Sequence, residues 1–191
     1  MDQEQPTPPF PARQAPAHTA RPPGYPVELE QVLSLRDGRA VFVRPIIPAD
    51  EVVIEREWRR ADTETLYQRF FTAQPKLDAR RLHSLVHVDY RSRLALVAFG
   101  EDGQGAGVAR YESGPGQEQA EIAFVVHPAW RRIGLGSALL RLLADAARSR
   151  GIRRLTALCL QENRAMTEML ARFGFELPAA DAGVATAIKV L

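Results

Sequence analysis

The sequence predicts one α/β domain of the α+β kind, a mixed and mostly antiparallel sheet of six to seven strands, preceded by a proline-rich tail. Three observations carry this. Residues 119–160 read as strand, loop, helix and strand, a unit whose two strands must lie parallel. Residues 93–126 read as three strands separated by short turn-rich loops, which is the pattern of an antiparallel meander. Asp37-Gly38, between two short apolar runs, is a hairpin-turn signal.

Residues 1–26 hold eight of the 14 prolines, at positions 6, 8, 9, 11, 16, 22, 23 and 26, with few large apolar side chains. They are expected to be disordered or locally polyproline II, leaving 27–191 as the folded domain. Gln31 to Leu35 and Ala40 to Val43 form the opening hairpin around Arg36-Asp37-Gly38-Arg39. Pro45 and Pro48 end its second strand, and Asp50 is placed to cap a helix running through Val53, Ile54 and Trp58 to Arg60. Thr63 to Phe71 and Leu77 to Val86 read as two more short helices, separated by Gln74-Pro75. Arg93 to Phe99 and Gly107 to Glu112 are strands, and Ser113-Gly114-Pro115-Gly116 leads into the central strand, Ala120 to Val126, which His127-Pro128 ends. Leu135, Ala138, Leu139, Leu142 and Ala146 then repeat at helical spacing, with Arg141, Asp145 and Arg148 opposite and Gly151 at the C-cap. Arg154 to Leu160, Glu162 to Phe173 and Val184 to Val190 complete the chain as strand, helix and closing strand.

At 191 residues, 46% apolar and 25% charged, the chain can bury one full core. Net charge is +2, and all of the 25 basic residues except Lys76 and Lys189 are arginine, which we read as genome composition. No block of like charge and no aromatic-interleaved basic run occurs, so no nucleic-acid partner is expected. No run of 18 apolar residues exists, and Asp2 and Glu4 stand where a signal peptide would be basic; a cytoplasmic protein without membrane contact is expected. The single cysteine, Cys159, lies between Leu158 and Leu160 and reads as a small buried hydrophobe.

The loop Arg131-Arg132-Ile133-Gly134-Leu135-Gly136-Ser137 joins the central strand to the long helix. Its glycines let main chain approach a ligand closely, the first helical turn offers unpaired N–H groups, and two arginines precede it. The spacing fits a diphosphate cradle and equally an ordinary helix-opening turn. A dinucleotide fingerprint fails because Leu139 takes the third glycine's place, no G-K-S/T completes a P-loop, and Ser137 lacks a nucleophile elbow. His83 and His87 stand four apart on a helix, but Ser84 replaces the glutamate of a zinc protease and no third ligand is evident; a surface or packed pair and no metal are expected. Glu121 is the one carboxylate of the central strand, set among Ala120, Ile122, Ala123 and Phe124. A carboxylate taken out of water becomes a stronger base, suited to accepting a proton from an ammonium. Pairing with an arginine to stabilise a strand end is the alternative role.

These residues resemble the signature of the GNAT superfamily of acyl-CoA-dependent N-acyltransferases. Arg131-x-x-Gly134-x-Gly136 after Val126-His127-Pro128 is similar to its cofactor-binding motif, and Arg154 to Leu160, Asn163 and the helix ending at Phe173-Gly174-Phe175 are similar to its second cofactor-contacting segment. From about Leu35 to Phe175 the chain most resembles the GNAT domain of bacterial protein lysine acetyltransferases, through Arg36-Asp37-Gly38, Val43-Arg44-Pro45-Ile46, Arg69-Phe70-Phe71 and Asp89-Tyr90.

The resemblance implies a GNAT fold with helices on both faces of the sheet and acetyl-CoA as acyl donor. It implies that main-chain groups of Phe124, Val125 and Val126 pair with the pantetheine arm, because a strand splayed from its parallel neighbour leaves amides that a peptide-like arm can take. The Val125 N–H is then the expected oxyanion donor. Arg131 opens the signature, Arg132, Ile133, Gly134, Leu135, Gly136 and Ser137 wrap the diphosphate, Asn163 contacts the cofactor, a role that an N-cap of the last helix explains equally well and that can hold together with it, and Glu121 is the general base. The reaction implied is direct acetyl transfer to a primary amine, with a protein lysine as the first acceptor class and a small-molecule amine or a non-catalytic acyl-CoA sensor as alternatives. Trp58, Tyr67, Phe70, Phe71, His83, His87 and Tyr90 are candidates for the acceptor wall, though aromatics at helical spacing mostly pack in cores. Leu170 departs from the family, many of whose members place there a tyrosine that protonates the leaving thiolate. A homodimer through an exposed C-terminal strand is a further expectation.

Overall fold

The computed structural model describes residues 21–72, 74–114, 116–178, 181 and 183–191. Residues 1–20 of the expected tail lie outside them. Seven strands form one sheet in sequence order: β1 (Gln31–Ser34), β2 (Ala40–Pro45), β3 (Arg93–Phe99), β4 (Gly105–Ser113), β5 (Gln119–Val126), β6 (Arg154–Leu160) and β7 (Val184–Val190). All neighbours are antiparallel except β5 and β6, which are parallel because a helix, α4 (Leu135–Ser149), crosses between them. Three short helices, α1 (Glu51–Arg60), α2 (Thr63–Phe70) and α3 (Ala79–Val86), lie between β2 and β3, and α5 (Arg164–Arg172) follows β6.

Helices pack on both faces. Strand β3 is a continuous apolar run, buried from Leu94 onward, as a central strand covered on both sides must be. Its Leu94, Leu96 and Ala98 join the main core with Leu135, Leu139, Leu140 and Leu143 of α4 and Leu170 of α5. Its Ala95, Val97 and Phe99 join the second core with Val53 and Ile54 of α1 and Val86 of α3. Cys159 is buried in the main core, and burial pushes its thiol up.

The turn from β2 into α1 is fixed by a buried ion pair. Arg44 donates from both terminal nitrogens to Asp50, at 2.8 and 2.6 Å, and its guanidinium lies 4.8 Å from the Phe99 ring centroid. Asp50 stands at the N-cap of α1, but its carboxylate turns back to Arg44 and to the Ile47 N–H (2.8 Å) and caps nothing in the helix. Tyr25 and Pro26, read from the sequence as the end of the tail, are placed against the domain: Tyr25 packs edge-on against Tyr90, with ring centroids 5.7 Å apart, and Pro26 is buried. At the far end of the sheet, Ile188 of β7 exchanges both main-chain bonds with Glu176, so that edge is taken at this point.

Removing one partner of a buried pair leaves the other charge uncompensated. Asp50→Ala is therefore expected to lower stability by about 3–5 kcal/mol, read as a shift of the urea midpoint at unchanged slope.

Candidate active site

The site begins where two strands part. β5 and β6 pair only from Gln119 with Arg154 to Ile122 with Ala157. Beyond that point β5 continues to Val126 on β4, and β6 continues to Leu160 on β7, so a wedge opens between them. The His127 N–H donates to Ala106 of the β4 side at 2.9 Å, whereas the Val126 carbonyl accepts Arg131 Nε at 3.0 Å from the other side. Strand alternation then fixes the rest: odd-numbered residues of β5 turn their main-chain groups to β4, and Phe124 and Val126 turn theirs into the wedge. The expectation that Val125 supplies the oxyanion amide is corrected on this ground, because its N–H belongs to the β4 ladder. Phe124 and Val126 are the residues of this run whose main-chain groups face the wedge.

At the wide end of the wedge lies the loop 131–137. Arg132 (φ +64°) and Gly134 (φ +100°) are left-handed, and α4 starts immediately after. A side chain on Gly136 would come within 3.3 Å of Met169 Sδ and 3.7 Å of Val126 Cγ2, so its absence lets the first turn of α4 sit between β5 and α5. The N–H groups of residues 132–137 have no hydrogen-bond partner among the described residues. With the N-terminal end of α4 behind them, they form a concavity whose donors and partial positive charge suit an anion.

Sequence reasoning missed the support this loop receives from the opening hairpin. The Arg36 N–H donates to the Ile133 carbonyl (3.1 Å), and Arg39 donates to the Ala129 carbonyl (2.9 Å) while lying over the Trp130 ring at 4.3 Å. The Arg36 side chain runs alongside Gly134, which brings a guanidinium from the hairpin to the loop that Arg132 belongs to. Neither Arg36 nor Arg132 forms an ion pair among the described residues. A basic residue in a hairpin turn gives no sequence signal for a site formed so far along the chain.

On the opposite face of β5, a cleft of about 380 Å³ is lined by Arg69, Arg110, Glu112, Ser113, Glu121 and Ala123. Arg110 is buried and donates to Glu112 at 2.5 Å. Burial, followed by repulsion from Arg110, pushes Arg69 down to about 10, which leaves it charged at neutral pH. Glu121 is exposed. The expected desolvation fails because side chains alternate along a strand, sending Ala120 and Ile122 into the core and Glu121 into the cleft.

Helix α2 lies across the wedge and touches both β5 and β6. Two side-chain ties hold it there. Arg131, already bonded to Val126, donates to Thr65 Oγ1 (2.6 Å), and Asn163 Nδ2 donates to Gln68 Oε1 (3.2 Å). Asn163 Oδ1 meanwhile accepts the Met166 N–H (3.1 Å), so Asn163 is the N-cap of α5. Both side chains thus brace the wedge, a role compatible with the cofactor contact expected of these residues. Leu170 is buried in the main core and faces no cleft. Of the acceptor-wall candidates, Tyr90 is buried with its hydroxyl donating to the Ile46 carbonyl (2.8 Å), and Trp58 packs on Phe70 at 4.7 Å. No helix among the described residues is long and apolar enough to cross a membrane.

The sequence model described as the acetyltransferase (GNAT) family matches residues 55–175. An acetyltransferase of Pseudomonas aeruginosa is 31% identical over 147 residues, covering 75% of this chain and 79% of the relative. The acetyltransferase Pat of Mycolicibacterium smegmatis is 31% identical over 157 residues, 80% of this chain, and the chain spans 46% of that longer protein. The crystal structure of the GNAT domain of S. lividans PAT is similar at a TM-score of 0.82 and 32% identity, covering 87% of this chain and 99% of that domain. A Salmonella typhimurium structure with its cofactor acetyl-CoA, 23% identical over 79% of this chain and 94% of its own, shares the fold at a TM-score of 0.64.

The N-terminus of α2 carries a pH dependence. Hydrogen bonds from Thr65, hydroxyl first and then N–H (2.6 Å to Oδ1), hold the capping Asp62 below the usual carboxylate range. A carboxyl lowered on folding contributes its stability above the unfolded value near 4 and loses it as pH falls through the folded value. Amide protection factors in α2, corrected for the intrinsic pH dependence of exchange, are therefore expected to hold down to the ordinary carboxylate range and to fall below it. Asp62→Ala should lose the cap at neutral pH, at about 1 kcal/mol in urea unfolding.

Proposed function

The chain belongs to the GNAT family of acetyltransferases, and from that premise we propose that it transfers an acetyl group from acetyl-CoA to a primary amine, with a protein lysine as the first acceptor class. The observation that carries this is the wedge itself: the free main-chain groups of Phe124 and the free N–H of Val126 lead directly to the unpartnered amides of residues 132–137. A peptide-like arm fits the first set as a missing strand, and a diphosphate fits the second. Arg36 and Arg132 add guanidinium charge where the phosphates would lie.

With the arm in the wedge, the thioester carbonyl comes under the Phe124 N–H, which steadies the oxyanion formed on attack. The amine approaches from the cleft on the other face of β5. Glu121 accepts the ammonium proton, through water because the carboxylate is exposed. The neutral amine forms the new C–N bond, the C–S bond breaks, and the thiolate leaves. With Leu170 in the core, the thiolate takes up, through water, the second proton that the attacking nitrogen sheds as it becomes the amide. An open cleft with exposed carboxylates suits the long aliphatic ammonium of a lysine. The likeness of residues 35–175 to protein lysine acetyltransferases supports the same class, and Arg69, part of that likeness, lines this cleft.

Calorimetric titration is expected to show saturable binding of acetyl-CoA and none of NAD. Glu121→Gln should lower turnover on a lysine peptide by about 100-fold while leaving acetyl-CoA affinity unchanged. Saturable binding without turnover on lysine peptides or small amines would favour the sensor reading. Absence of binding would remove both.

A further inference from the structure

We propose that Glu51, His83 and His87 form a site for a divalent transition metal of the Zn²⁺, Co²⁺ or Ni²⁺ class, joining α1 to α3 outside the active site. His83 lies in the last turn of α3 and His87 is its C-cap residue, so a spacing of four brings both imidazoles to one side of the helix. Their rings stack with centroids 3.5 Å apart. The sequence shows only this pair. Folding adds a third donor: Glu51, the first residue of α1, places Oε1 3.8 Å from His83 Nδ1 and 3.9 Å from His87 Nδ1. One donor atom from each of the three residues lies within 4.8 Å of the others.

The separations indicate a ligand set, not a finished set of protein contacts. At 3.8 and 3.9 Å, neither imidazole is hydrogen-bonded to the carboxylate. Two donors held about 2.0–2.1 Å from a tetrahedral zinc ion lie roughly 3.3 Å apart, so closing on a metal requires small rotations of the three side chains. All three are half-exposed or exposed and free to turn. The stacked rings must rotate out of parallel to aim both lone pairs at one ion. His87 Nδ1 now lies 3.1 Å from the His83 carbonyl, a contact that ligation through this nitrogen would replace. Two imidazoles and one carboxylate, with remaining positions open to water, favour this class of ion over Mg²⁺ and Ca²⁺, which take oxygen ligands. Because the ligands come from two helices that pack together, bound metal ties α1 to α3.

The test uses the full chain, free of any affinity tag and stripped of metal, titrated with Zn²⁺ by calorimetry and with Co²⁺ by visible absorption. One-to-one saturation is expected, with a rise in melting temperature in Zn²⁺. Glu51→Gln, His83→Ala and His87→Ala should each weaken binding by at least about tenfold, the lower end of what losing even a residue hydrogen-bonded to a ligand costs, and His127→Ala should leave it unchanged. Acetyl-CoA binding, measured in parallel, reports that each variant is folded. Absence of saturable uptake, or uptake of equal strength in the three ligand variants, would overturn the proposal.

Discussion

The parting of β5 from β6 after Ile122 and Ala157 is the constraint on which the rest of the site depends. If the parallel pair stayed closed to Val126, the main-chain groups of Phe124 and Val126 would be satisfied within the sheet. The wedge survives because each strand keeps its antiparallel partner throughout: β5 is held by β4 to Val126, and β6 by β7 to Leu160. Only the inner edges are opened. The unmet polar groups there are partly compensated by Arg131 on the Val126 carbonyl and by α2 laid across the gap.

Arginine is the brace throughout, which gives the near-absence of lysine a structural use beyond genome composition. A guanidinium presents several donors in one plane, whereas an ammonium is a compact point charge. Arg131 joins a strand carbonyl to a helix hydroxyl, and Arg44 grips both oxygens of Asp50. Arg150 donates to the carbonyls of Tyr90 and Ala146 at 2.8 and 3.0 Å, tying the end of α4 to the loop before β3. In each case one side chain spans two acceptors.

The elements were legible because their signals are local. The Asp37-Gly38 turn, the apolar run of β3 and the helical repeat from Leu135 each lie within one segment, and the structure places every one of them. The exposure of Glu121 was legible too, since Ala-Glu-Ile alternates; its apolar neighbours point the wrong way to desolvate it. The phase of the wedge was not, because which of Phe124, Val125 and Val126 faces it depends on the register with β4. Nor could sequence show that Arg36 would reach Gly134, that Asn163 would bond to α2, or that Glu51 would meet the two histidines. Those pairings arise only when distant segments meet.

The loop 131–137 carries its chemistry in the main chain, and this explains which of its residues are specified. Left-handed backbone costs a residue with a side chain about 1–2 kcal/mol, a strain that Gly134 escapes and Arg132 bears. Those conformations turn the chain sharply into α4, so that amides on both sides of the turn end in one concavity. Gly136 is small so that the first turn can approach Val126 and Met169. Leu135 is wholly buried and Ile133 packs against the core, so these side chains hold the loop from behind. Any apolar residue that fills the same space would serve at those two positions, whereas the glycines answer to backbone geometry. A signature written as arginine, two free positions, glycine, one free position and glycine is therefore what this tight main-chain turn into a closely packed helix leaves in a sequence.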